Sequence, residues 1–370
     1  MNHLNCLPQD AVFWGENTLT AALPRLESHG IERPIVFTAP PLEALARTLV
    51  EPHLKDAAGC FTGLPAHVPD VAVHAALEAC LRSDARAIVG LGGGSVLDAA
   101  KAVSHLHHGR TGRHLPIVAL PTTLSGSEFS HYFGITETGG PQKFKRSYAV
   151  RETTPKLVLI DPLLVRDTPR ALLLSSAIKG IDHAVEGMRK VGTSHPHAIM
   201  AASGVDRFLR VLEKWPATLE TRQALEAGRV SHDDLLQLQL GAWQCYFSPA
   251  SVIYGLSHRI GHILGGSYGL PHSATSCITL APVIRACAAF YGDKLEALSP
   301  GGPGAAARLA ERIAAVVAKL GLPSRIGAFD LDRAKLPEVA ALLEANYPEE
   351  VADLGEDAPA RLAALLERLW

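Results

Sequence analysis

The stretch Ala87-Ile-Val-Gly-Leu91-Gly92-Gly93-Gly94-Ser95 constrains this chain most, because a short β-branched apolar run breaks into three glycines and then into the helical pattern Val96-Leu-Asp-Ala-Ala-Lys-Ala-Val. An apolar run that short, without polar alternation, reads as a strand buried on both faces, and a parallel sheet requires a strand-to-helix turn of this kind at its carboxyl edge. The same order recurs along the first half. Pro34–Thr38 reads as a strand followed by the helical pattern from Leu42, residues 72–82 have helical periodicity before the run at Ala87, and Leu115–Leu120 and Leu157–Ile160 supply further strands. Strands alternating with helices through Asp161 predict an α/β N-terminal Rossmann-like domain with a parallel sheet.

After Asp161-Pro162 the β-branched runs become scarce, and Leu/Ala patterns at helical spacing take over. They predict helices over 171–189, 198–213, 233–246, 305–320 and 358–370, and hence an all-α C-terminal domain. With 370 residues, of which 47% are hydrophobic, the chain can fill two cores. The expected division is 1–162 as the dinucleotide-binding domain and 163–370 as the catalytic domain. The 35 basic and 37 acidic residues offer no field for nucleic acid or an anionic membrane surface, which leaves a small molecule as the expected partner. Six cysteines without a CxxC pair, and an N-terminus with no basic segment before an apolar run, predict a cytoplasmic protein.

Three stretches carry chemistry. The first, Gly92 to Ser95, lets a backbone approach a pyrophosphate while the following helix supplies amide donors and the positive end of its dipole; a tight strand-to-helix turn is the plain alternative. The second, Pro121-Thr122-Thr123-Leu-Ser-Gly-Ser127-Glu128, also follows a strand and offers hydroxyls beside a glycine. The third holds His258, His262 and His272. The first two lie one helical turn apart and share a face, Gly265 and Gly266 are expected to end that helix, and Pro271 stiffens the return that presents His272.

Gly92-Gly-Gly-Ser-x-x-Asp98-x-x-Lys101, Pro121-Thr-Thr, Asp161-Pro162 and the His258/His262/His272 pattern occur together and in order. In this the chain resembles the iron-containing alcohol dehydrogenase superfamily, with its dehydroquinate synthase-like fold. Pro-Thr-Thr-x-x-Gly-Ser-Glu, His-x-x-x-His-x-Leu-Gly-Gly and Leu-Pro-His resemble the maleylacetate reductase branch most. The resemblance implies an NAD(P)H-dependent oxidoreductase, usually a homodimer, with its active site between the two domains. It implies cofactor binding by Gly92, Gly93, Gly94, Ser95, Asp98, Thr122, Thr123, Ser127 and Lys145, the last flanked by Lys143 and Arg146. Where NAD-preferring relatives often carry an aspartate after the second strand, this chain has Ala39, which removes a barrier to NADP.

Two departures shape the functional expectation. In metal-dependent members an aspartate one turn before the histidine of His-Ala-x-Glu-Gly joins that histidine and two later ones around the metal. Here the motif is His183-Ala-Val-Glu186-Gly187, and one turn earlier stands Lys179. A lysine ammonium has no lone pair for a cation, so no metal is expected. The catalytic set expected is Lys179, His183, His258, His262 and His272. Lys179 would stabilise a forming alkoxide, His262 would relay a proton, and the other histidines would bind and orient the substrate. Ala281 in Leu280-Ala-Pro-Val, where such reductases tend to have Pro-His, is the second departure. The leading expectation is a metal-independent reductase of a small carbonyl or enoyl acid. The alternatives are a metal-dependent alcohol or aldehyde dehydrogenase of the same fold, and a non-redox enzyme that uses bound NAD transiently.

Overall fold

The structure is a computed structural model that describes residues 6–139, 144–247 and 253–370, with the side chains of Phe144, Lys145 and His272 outside the description. The described residues divide into two compact units, one ending at Thr168 and the other running from Pro169 to Trp370.

In the first unit, strands β1 (Ala11–Trp14), β2 (Pro34–Thr38), β3 (Gly59–Phe61), β4 (Ala87–Gly92), β5 (Ile117–Pro121) and β8 (Leu157–Ile160) form a parallel sheet in the order β1-β8-β5-β4-β2-β3. Successive side chains of a strand leave opposite faces, and both faces are covered. Ile35, Phe37, Ile88 and Ile117 join one core with helices α1 (Asp70–Arg82) and α2 (Gly94–Thr111). Val36, Val89, Val118 and Leu159 join the other with Leu19, Leu23 and Leu164. Double coverage explains why the central strands read as unbroken apolar runs. The expected strand at Leu115 begins instead at Ile117, since Pro116 has no N–H for the ladder. Three features were not expected. The edge strands β1 and β3 are only four and three residues long, and β6 (Tyr132–Glu137) pairs antiparallel with β7 (Phe144–Ala149) in a separate hairpin.

The second unit is helical. It is built around α3 (Arg170–Gly187), which packs against α4 (Pro196–Lys214), α5 (His232–Tyr246) and α7 (His272–Ala286), while α6 (Leu256–Tyr268) lies along α7. Helices α8 (Ala305–Lys319), α9 (Leu336–Asn346) and α10 (Ala358–Leu369) complete it. Helix α3 is buried nearly all round, as a central helix without a polar stripe must be. One expectation is corrected here. Gly265 and Gly266 lie inside α6, and the helix ends at Gly269, whose left-handed φ of 74° and N–H bond to Gly265 O form the cap. Glycine at Gly265 and Gly266 left the helix intact because nothing there called for positive φ. Pro271 caps the start of α7, so His272 is that helix's first residue.

Helices α4 and α5 cross closely at Gly204 and Gly241. A Cβ on Gly204 would stand 2.7 Å from Cys245 Sγ and 2.9 Å from Gly241 O. Because the second contact is with backbone, Gly204→Ala is expected to destabilise the protein by about 1–3 kcal/mol, read as a lower urea midpoint. An unchanged midpoint would show that the helices separate freely.

Candidate functional site

In the first unit the carboxyl ends of β4 and β5 stand side by side, with Thr122 N–H donating to Gly92 O at 3.1 Å. The glycines there are required by close approach rather than by unusual φ. An added Cβ would meet Thr123 Cγ2 at 2.9 Å from Gly93, and Ser125 Oγ at 3.1 Å from Gly94. The first turn of the 18-residue α2 opens at Gly94, so its amides and the helix dipole favour an anion. Thr122 and Thr123 are buried beside it, and Ser125 Oγ is a buried hydroxyl with no hydrogen-bond partner among the described residues. Such a cradle, with one orphaned hydroxyl, fits a dinucleotide phosphate.

Asp98, Lys101 and Ser127 form a chain behind that turn. Ser127 Oγ donates to Asp98 Oδ1 at 2.6 Å and accepts from Lys101 Nζ at 2.8 Å, while Lys101 also donates to Tyr132 O. Lys101 has no solvent exposure, and burial pulls its pKa down. Its role is to tie the Pro121–Ser127 loop to α2. Ser95 Oγ, partly exposed, accepts from His67 N–H at 3.3 Å. Lys145 lies on β7 with its side chain outside the described residues, and Lys143 lies outside them altogether.

In the second unit, α3 presents Lys179, Asp182, His183 and Glu186 over two turns, and α6 presents His258 and His262. His258 is buried and held at both ring nitrogens. Its Nδ1 lies 2.6 Å from Glu186 Oε2 and 3.3 Å from Asp182 Oδ2, and its Nε2 lies 3.0 Å from His183 Nε2. Glu186 also accepts the backbone N–H groups of Gly255 at 2.6 Å and His258 at 3.1 Å. That approach needs glycine, because a Cβ on Gly255 would stand 2.9 Å from Glu186 Oε1. Asp182 Oδ2 accepts from Ser257 Oγ at 3.0 Å and Ser276 Oγ at 2.7 Å, while its Oδ1 has no hydrogen-bond partner among the described residues. Arg189 clamps the approach to α6, pairing with Asp353 and donating to Tyr254 O.

Burial opposes charge on His258, but the Asp182 and Glu186 carboxylates outweigh it and push the ring's pKa up to about 9. Burial, and then the charge of Asp182, raise that of Glu186. His262 is partly exposed, with its ring 5.2 Å from that of Tyr254 and 6.2 Å from that of His258. Lys179 is also partly exposed, one turn before His183. The structure therefore gathers His183, His258 and His262, with Lys179 on the same helix as His183, whereas the His272 side chain lies outside the described residues. Asp182 and Glu186 were not among the expected site residues. Their signal was two acids one turn apart among Ile178, Ile181, Ala184 and Val185, where a charge cannot be left unpaired.

Asp182, Glu186 and His258 bring three ligand atoms within 4.8 Å of one another. In the arrangement seen here Glu186 and His258 are hydrogen-bonded to each other rather than spaced as two ligands of one ion. Two donors on one tetrahedral zinc lie roughly 3.4 Å apart, given bonds of about 2.1 Å. The His258 Nδ1 to Glu186 Oε2 distance of 2.6 Å is a direct hydrogen bond, and His258 Nε2 is engaged by His183.

The family model for iron-containing alcohol dehydrogenase matches residues 8–162. A maleylacetate reductase of Pseudomonas aeruginosa is 33% identical over 298 residues, covering 80% of this chain and 79% of the relative. Among solved structures, the maleylacetate reductase of Rhizobium sp. superposes over 100% of this chain and 99% of its own, with TM-score 0.80 and 24% identity. The sulfoacetaldehyde reductase of Bifidobacterium kashiwanohense, solved with NAD+, has TM-score 0.83 and 18% identity over 100% of this chain and 99% of its own. Likeness at these identities shows the fold, a dehydroquinate synthase-like one.

A pH dependence follows from His258. Its pKa in the folded state exceeds the unfolded value near 6.5, so its stabilisation is complete below about pH 6.5 and is lost as pH rises through about 9. Between those limits the melting temperature should fall more steeply in the unmodified protein than in Asp182→Asn. Parallel curves would show that Asp182 does not hold the charge of His258.

Proposed function

Because this chain belongs to the iron-containing alcohol dehydrogenase family, we propose that it is an NAD(P)H-dependent reductase of a small carbonyl or enoyl acid, similar to the maleylacetate reductases, working without a metal ion. The observation that carries the reading is the hydrogen-bonded pair His183–His258. It is backed by two buried carboxylates, and a lysine stands where metal-dependent members place a ligand carboxylate. A cation added beside Lys179 would meet an ammonium that has no lone pair to offer and carries a like charge.

The α2 amides at Gly94 and Ser95, the glycine-floored cradle and Thr122 and Thr123 would hold the dinucleotide, which supplies the hydride when bound. Asp98, fixed by Ser127 and Lys101, would hold the rim of that cradle. Lys145 would stand on the cofactor side. Lys179 Nζ would donate to the oxygen that becomes an alkoxide, the role a metal has in relatives, and His262 would pass the proton. His183 and His272 would orient the substrate carboxylate, with His258 holding His183 from behind. The six free cysteine thiols support a cytoplasmic setting, and the family supports a homodimer.

Oxidation of NADPH at 340 nm, followed across a panel of keto acids, enoyl acids, ketones and aldehydes, tests the reading. Turnover is expected with a small acid, and none with any member would overturn it. Lys179→Ala should lower kcat about 100-fold, as loss of an oxyanion donor does. Wild-type kcat in that variant would remove Lys179 from the chemistry. Gly93→Val should weaken NADPH binding tenfold or more, about 1.4 kcal/mol, in a fluorescence titration. With Ala39 in place of an acid, NADPH should be used with kcat/KM within about 100-fold of that for NADH.

A further inference from the structure

Tyr254 has no part in the function proposed above, yet two arginines from different helices converge on it. Arg189, just after α3, donates to its carbonyl oxygen at 3.0 Å, and Arg259, on α6, stands over its ring with the guanidinium carbon 5.2 Å from the centroid. Both arginines are held by one short segment, 347–353. Arg189 makes a two-point pair with Asp353, at 2.5 and 3.0 Å, and Arg259 donates to Glu350 at 2.8 Å while lying 4.4 Å from the centroid of the Tyr347 ring. We propose that Tyr254 is a positioning residue: clamped by these arginines, its ring fixes the His262 imidazole, so that the segment 347–353 reaches His262 through Tyr254.

Tyr254, His258 and His262 recur at four-residue spacing, so the tyrosine ring, entering just ahead of α6, lies along the face that carries the two histidines. Its centroid is 5.2 Å from each of theirs, tilted 33° to His258 and nearly perpendicular, at 75°, to His262. A perpendicular arrangement is one that ring quadrupoles favour, and a cation over the ring face adds an attraction that resists rotation of the tyrosine. Glu186 already holds His258 at Nδ1. His262 is partly exposed, and the Tyr254 ring stands closer to it than that of His258, at 6.2 Å, so the tyrosine restricts its rotamers. A relay works only while its ring nitrogen is held at the reacting geometry. The clamp is firm because its ion pairs are largely enclosed, where salt screens them little: Arg189 and Asp353 keep 4% and 7% of their side-chain exposure, and Arg259 and Glu350 keep 23% and 10%.

The role of His262 as a relay rests on the reductase reading, whereas the NMR spectrum of its ring protons needs no substrate, so the two can fail separately. In the unmodified protein those protons should be displaced by the ring current of Tyr254. Tyr254→Leu should abolish the displacement and lower kcat about tenfold, with KM and NADPH affinity nearly unchanged. Tyr254→Phe keeps the ring and the cation above it, and should bring kcat back to within about threefold of the unmodified value. Arg259→Met removes the cation and should lower kcat in the same direction. Adding it to Tyr254→Leu should cost nothing further, because the arginine acts through the ring. If no substrate is turned over, the displacement alone decides. Undisplaced His262 protons in the unmodified protein would overturn the proposal even if Tyr254→Leu fails to fold. So would a Tyr254→Leu protein that melts lower but keeps its kcat, or a loss of kcat that Tyr254→Phe does not restore.

Discussion

The hydrogen bonds that run from Glu186 and Asp182 through His258 to His183 organise the helical unit. Ionised groups survive inside a protein only where each is met by charge or by directed donors. Helix α3 is buried on nearly every side, so its two acids depend on what α6 and α7 bring: the Gly255 and His258 amides, the Ser257 and Ser276 hydroxyls, and the His258 ring. That demand fixes how α6 begins. Glu186 can reach the first amides of α6 only because Gly255 has no Cβ, and Arg189, paired with Asp353, holds the carbonyl of Tyr254 just before it. Removing one member would leave a buried charge without its partner, which costs more than the pair itself contributes.

The first unit solves a different problem, that of close backbone approach where β4 and β5 end side by side. Its means are the absence of Cβ atoms at Gly93 and Gly94, the dipole of a long helix, and a neighbouring loop pinned by the buried Lys101. Lysine is rarely found without exposure. Here its ammonium is spent on Ser127 and Tyr132 O, holding the loop of Thr122 and Thr123 against α2 rather than meeting a ligand.

How much of this was legible in the sequence differs between elements for physical reasons. Doubly covered strands announce themselves as β-branched runs, so β2, β4 and β8 could be read almost to the residue. The exposed edge strands β1 and β3 are too short for any pattern to emerge. The β6–β7 hairpin escaped because its residues carry no strong alternation. Glycine was an ambiguous stop signal: Gly269 takes positive φ and ends α6, whereas Gly265 and Gly266 do not. At the site, motif spacing singled out His183, His258 and His262, but which nitrogen meets which partner depends on the packing of α3 against α7 and on how α6 begins. Asp182 precedes His183 on a helix where adjacent positions point about 100° apart, so it leaves the helix on a different side from His183. The same rotation carries it to the Nδ1 side of His258, a partner 76 residues later in the chain.

The central claim is that directed hydrogen bonds and Lys179 do here what a metal ion does in metal-dependent members of the family. It is tested most directly by measuring metal content by mass spectrometry and NADPH turnover on one sample, before and after exhaustive chelation. The account predicts far less than one metal ion per chain and the same turnover on both sides of the treatment. A stoichiometric metal, with turnover lost on chelation and regained when the metal is returned, would contradict it.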